Sequence, residues 1–176
     1  MAGMLLMVLA FAGRVCVVLV FILAAGQKMH SWAILSGVVA NYRILPPFMV
    51  KPTAWLLPLL ELALGAMLLP GSVWAVFAAM VLLAIFATAM AINLGRGRRH
   101  IDCGCGQSFL RQALSPVLVV RNAVLMLLLA PSLLAVGGLS LNLALTGMAA
   151  GVAFFLLYLL ANTLVALPGP RRVLTV

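Results

Sequence analysis

Five long apolar runs, at residues 4–26, 53–69, 73–94, 116–136 and 143–167, take up most of this 176-residue chain. About 20 apolar residues cross a bilayer as one helix, so little chain is left over for a water-soluble domain. Charged residues are 7% of the sequence and the mean hydropathy is +1.30; soluble domains carry about 25% charged residues. The expected fold is therefore all-α: a single integral membrane domain over 1–176, a polytopic transmembrane helix bundle of about five spans. The first run lacks a preceding Lys or Arg, so it reads as an uncleaved span despite the small residues Leu23-Ala24-Ala25-Gly26.

The connections differ in character. Over 31–45, Leu35, Val38, Val39 and Tyr42 recur at helical spacing, with Trp32 one turn earlier and polar Ser31, Ser36, Asn41 and Arg43 between them. That stretch is too short and too polar to cross, and it predicts an amphipathic helix in the headgroup layer, in contact with membrane lipid. Pro46-Pro47 should stop it. The run 53–69 is short for a bilayer, about 25 Å as a helix. Gly147 and Gly151 give the last span a small face for close helix packing.

Basic residues are distributed unevenly. With five spans, Lys28, Arg43, Lys51, Arg96, Arg98, Arg99, Arg111, Arg171 and Arg172 all fall on one side, and none falls in the opposite connections. The remaining two, Arg14 and Arg121, lie within spans. Positive loops stay in the cytoplasm, so the N-terminus is expected outside and the C-terminus inside a bacterial inner membrane. A net charge of +9 held in short loops provides no folded basic surface for nucleic acid, which is excluded as a partner. No nucleophile–base triad, phosphate loop or HExxH motif is visible, so hydrolase and nucleotide-driven pump classes have no support.

Reactive groups concentrate in the connection 95–115, at His100-Ile101-Asp102-Cys103-Gly104-Cys105-Gly106. A thiolate is both nucleophile and soft-metal ligand, and positive charge such as Arg98, Arg99 and Arg111 favours it, while Asp102 opposes it. Gly104 lets Cys103 and Cys105 approach each other, and so small a disulfide ring would be strained and redox-active. The same pair, with His100, could clasp a soft ion such as Cu(I) or Zn; two inert thiols are the third reading. Cys16 reads as a small buried hydrophobe.

Charges inside spans are costly and usually paired or functional. Counted from the ends of the apolar runs, Arg14 and Glu61 lie about 18 Å and about 14 Å deep, which predicts an ion pair between them. Arg121, with Asn122, sits near the start of the fourth span. It can reach back to hold the cysteine loop electrostatically, or simply snorkel. Asn93 is expected to bond free backbone carbonyls.

Gly26-x-Lys28, Asn41-Tyr42-Arg43-Ile44-Leu45-Pro46, Leu57-Pro58-Leu59-Leu60-Glu61-Leu62, Asn93-Leu94-Gly95-Arg96-Gly97, Asp102-Cys103-Gly104-Cys105-Gly106 and Arg121-Asn122 together resemble the methylamine-utilisation protein MauE family, grouped with DoxX-like redox-associated membrane proteins. The resemblance spans roughly Arg14 to Asn122, and it departs at Gln107, where the family often continues Cys-Gly-Cys with Phe-Gly. It implies a helper in maturing a periplasmic quinoprotein, methylamine dehydrogenase, whose small subunit is rich in disulfides, with a thioredoxin-like protein as partner. Cys103 and Cys105 would be the redox pair, supported by Asp102, Gly104, Arg121, Asn122, Arg14, Glu61, Asn41 and Tyr42. Thiol–disulfide oxidoreductase activity, a soft-metal carrier and a non-catalytic assembly factor remain open. No cofactor is required by these residues, although a cytoplasmic thiol pair serving periplasmic clients needs a relay: Cys16, an inward-dipping loop or a quinone.

Overall fold

The computed structural model describes residues 2–98, 114–135 and 140–166. Its elements are all helices: α1 Ala2–His30, α2 Trp32–Asn41, α3 Pro47–Leu68, α4 Val73–Gly95, α5 Pro116–Leu129, α6 Pro131–Leu134 and α7 Leu141–Ala166. Among the described residues, five helical segments are long and apolar enough to cross a membrane, with α5 and α6 counting as one.

α1 is the axis of the bundle. α7, α3, α5 and α6 all pack along it, and α4 pairs with α5. Its residues Ala12, Cys16, Val17, Phe21 and Ala25 are buried, and Cys16, Val17 and Phe21 meet Leu68, Val76, Ala79, Leu83, Leu125 and Leu129 in one core. The outer faces stay apolar: Trp74, Leu127, Leu141 and Leu160 are exposed. In water such faces would mark an aggregation liability; around a membrane bundle they are the lipid contact.

Close approach depends on missing side chains. A Cβ on Gly151 would stand 2.7 Å from Val15 Cβ and 2.8 Å from the Ala12 carbonyl oxygen, and one on Gly147 would stand 2.9 Å from Phe11 Cδ1. The expected small face of α7 is thus the α1 contact. A Cβ on Gly13 would overlap the backbone carbonyl of Leu128. Neither partner in that overlap is a flexible side chain, so Gly13→Ala should destabilise by about 1–3 kcal/mol, the cost of overpacking. Gly65→Ala meets only ordinary contacts, at 3.8 Å from Phe21 Cβ and 4.0 Å from the Val18 carbonyl, and should be tolerated. Thermal denaturation of the two variants in detergent checks the contrast; equal midpoints would contradict it.

Helix ends differ from the expectation at three places. α1 continues through Gly26 to His30. α3 starts at Pro47 rather than residue 53, with Pro47 in its first turn, where a proline's missing N–H costs nothing. That gives 22 residues, about 33 Å, and removes the apparent shortness of this span. The fourth span is interrupted at Ala130, because Pro131 has no N–H to continue the ladder and opens α6 instead. The stretch expected to form a short amphipathic helix is helical as α2, and Trp32 at its start packs edge-on against Trp55 of α3.

Candidate functional site

Lys28, Glu61, Tyr42, Asn93, Arg96 and Arg98 gather where α1 ends and α2, α3 and α4 meet, whereas Arg14 and Cys16 lie elsewhere. The centre of this site is an ion pair between Lys28 and Glu61, with both side chains almost wholly buried. The Lys28 ammonium also lies 5.2 Å from the centroid of the Phe86 ring.

Glu61 is therefore partnered by Lys28, and the expected Arg14–Glu61 pair is corrected. The antiparallel register of α1 and α3 sets Gly65 against Val18 and Phe21, and Glu61 against Lys28. Arg14 is fourteen residues before Lys28, about 21 Å along the helix, which brings it to the turn at the opposite end. There its guanidinium lies against Gly71, whose φ of +81° is a left-handed conformation. Arg14 Nε donates to the Ala10 carbonyl at 3.4 Å, and the guanidinium lies 5.4 Å from the centroid of the Phe11 ring. The depth count failed because α3 starts earlier than the apolar run, and its first turns accompany α2 instead of α1. A sequence signal for Lys28 did exist: Phe21, Ala25 and Lys28 recur at helical spacing on the buried face of α1.

α4 ends in a Schellman motif. Gly97 adopts φ +71°, its N–H donates to the Leu94 carbonyl, and the Arg98 N–H donates to the Asn93 carbonyl. Two guanidinium groups then grip the end of α2. Arg98 Nη1 donates to the Asn41 carbonyl at 3.1 Å, and Arg96 Nη1 donates to the Arg43 carbonyl at 3.3 Å. Positive groups at a helix C-terminus also complement its dipole. Arg43 itself has φ +47°, a left-handed conformation that costs a non-glycine residue about 1 kcal/mol or more. Asn41 thus acts through its backbone. These clamps were not foreseen; the arginines read as topology signals, and nothing local in the sequence announces a contact more than fifty residues away.

Tyr42 packs beside Met90, Leu114 and Leu118, the cluster that receives the chain as it enters α5. Asn93 is fully buried, and its Nδ2 donates to the Ala89 carbonyl at 3.1 Å, as its expected carbonyl-bonding role requires. Asn122 does likewise toward Leu118, at 2.9 Å. Arg121 Nη1 donates to Asn162 Oδ1 at 3.1 Å and the guanidinium lies 5.6 Å from the centroid of the Tyr158 ring, tying α5 to α7. Cys16 is fully enclosed in the core. The cysteine pair Cys103 and Cys105, with His100, Asp102 and Gly104, lies outside the described residues, and so does any hold of Arg121 on it.

Beneath α2 is a cavity of about 240 Å³, lined by Lys28, Leu35, Val39 and Tyr42, by Thr53 and Leu57 of α3, and by Ile85, Phe86, Ala89 and Met90 of α4. Its wall is mostly apolar, with Lys28, Tyr42 and Thr53 as its polar side chains.

The model of the family described as "Methylamine utilisation protein MauE" matches residues 6–135. Among curated proteins, the methylamine utilization protein MauE of Paracoccus denitrificans is 41% identical over 159 residues, covering 88% of this chain and 86% of that protein. The MauE protein of Methylophilus methylotrophus is 40% identical over 166 residues, covering 91% of this chain and 87% of its own length. No solved structure matches the chain. The family match covers well over half the sequence, both relatives align over nearly their full length, and the quoted motifs lie within the match: this chain belongs to the methylamine utilisation protein MauE family.

Proposed function

We propose that the protein is an integral membrane thiol–disulfide redox factor of methylamine utilisation, supporting maturation of a disulfide-rich periplasmic client such as the small subunit of methylamine dehydrogenase. The observation that carries this reading is the grip on the root of the cysteine loop. A Schellman cap and two arginine clamps fix Arg98 against α2, and Cys103 follows only five residues later. A reactive pair works best when presented from a rigid base.

Cys103 and Cys105 exchange with a thioredoxin-like partner through a mixed disulfide. One thiolate attacks the partner's disulfide sulfur and the partner's second sulfur leaves as a thiolate; the other cysteine then attacks the first cysteine's sulfur, displacing the partner's remaining sulfur, so that the partner leaves reduced and Cys103–Cys105 closes as a disulfide. The family name supplies the pathway. The basic end of the bundle faces the cytoplasm of a bacterial inner membrane by the positive-inside rule. Since Cys16 is sealed in the core, transfer to the far side falls to a diffusible carrier.

Differential alkylation of membranes tests both redox state and side. Cys103 and Cys105 should react with a maleimide only after reduction, and a membrane-impermeant maleimide should reach them only after permeabilisation. Labelling from outside intact spheroplasts would reverse the orientation. Two permanently free thiols, or copurifying Cu or Zn lost on Cys→Ser substitution, would replace the redox reading with inert thiols or metal carriage.

A further inference from the structure

We propose that the cavity between α2, α3 and α4 binds the headgroup of an isoprenoid quinone. The proposal builds on the redox reading above, which requires a membrane-diffusible two-electron carrier, and gives that carrier a site.

The chemistry of the wall selects the ligand. Lys28 carries three N–H donors and, among the described residues, has one acceptor, Glu61. Lys28 lines a mostly apolar cavity, in which it is the one charged side chain, and its ammonium lies beside the face of Phe86. An acceptor oxygen on a planar ring satisfies the donor and the aromatic face together. The Lys28 charge is neutralised by Glu61, so the site has no net positive charge to hold a phosphate. A neutral carbonyl suits it, and a phospholipid headgroup does not.

Placement agrees. The cavity lies beneath α2, between α3 and α4. Ile85 both lines the cavity and is 56% exposed on the lipid-facing surface, so the site opens sideways for an isoprenoid tail. In the exchange, a dithiol loses two electrons and two protons and closes an S–S bond, and the quinone takes up both to become quinol. The reverse reaction returns them. The Lys28 ammonium stabilises negative charge developing on the quinone oxygen.

The test is titration of the purified full-length protein in nanodiscs with decylubiquinone, read by tryptophan quenching. Wild type should bind saturably at one site. Ala89→Phe, which fills the cavity while leaving Lys28 and Glu61 intact, should abolish saturable binding. Lys28→Met should weaken it about ten- to hundredfold, the value of a hydrogen bond to a charged group. If Lys28→Met fails to fold, Ala89→Phe still decides. Purely linear partition in wild type, unchanged binding in Ala89→Phe, or a phospholipid in native mass spectra that decylubiquinone cannot displace would overturn the site. Absence of binding alongside essential cysteines would sink this inference and leave the redox reading standing. Saturable binding with dispensable cysteines would do the reverse.

Discussion

Lys28→Met and Glu61→Gln should each sharply reduce the yield of folded protein, and the double variant should recover most of it. Both side chains are almost fully buried against each other, so removing one leaves the other charge in a medium that cannot solvate it. Breaking a buried pair in this way costs about 3–5 kcal/mol, whereas removing both charges is often close to neutral. That is a large share of the 5–15 kcal/mol typical of a folded domain. Arg14 gives the control, because it lies near the middle of α1, about four turns from Lys28, against Gly71 beyond the far end of α3. Arg14→Leu combined with Glu61→Gln should therefore give additive losses, as distant sites do. Monodisperse yield on size exclusion measures all five variants. An additive Lys28/Glu61 double, or recovery in the Arg14/Glu61 double, would contradict the register of α1 and α3.

The legible part of this protein is what hydropathy and proline encode locally. Five apolar runs marked the five candidate spans, the helical spacing of Leu35, Val38, Val39 and Tyr42 marked the short helix α2, and Gly147 and Gly151 marked a contact that proves to be with α1. The partner of Glu61 was not legible, because it depends on how two helices slide past each other. A shift of about four turns exchanges Lys28 for Arg14, and the apolar runs do not report register to that accuracy. Lys28 also sits just past the apolar run, where a lysine ordinarily marks a loop, although α1 continues to His30 and its buried face reaches Lys28. Arg96 and Arg98 were legible as charge and not as clamps, since their acceptors are the backbone carbonyls of Arg43 and Asn41, 53 and 57 residues earlier. Any residue type offers a carbonyl, so such a contact leaves no mark in the sequence of its acceptor.

Replacing either loop cysteine should remove function almost completely and leave the protein in place. The bundle is held by the α1 contacts with α3 and α7 and by the Lys28–Glu61 pair, none of which involves Cys103 or Cys105. Insertion and abundance of Cys103→Ser and Cys105→Ser should match wild type. A lone thiol can form a mixed disulfide but cannot resolve it, so each single variant should trap the thioredoxin-like partner and stall. Cys16→Ala removes one buried sulfur from the core; its effect should be on stability, within the usual range of about 0.5–3 kcal/mol for single substitutions, with function retained. The most direct measurement is the disulfide state of the methylamine dehydrogenase small subunit in cells grown on methylamine with the Cys103→Ser/Cys105→Ser double variant. Incomplete or scrambled disulfides, with the variant present at normal abundance, are the predicted result; a fully and correctly oxidised small subunit would contradict a redox role for this protein.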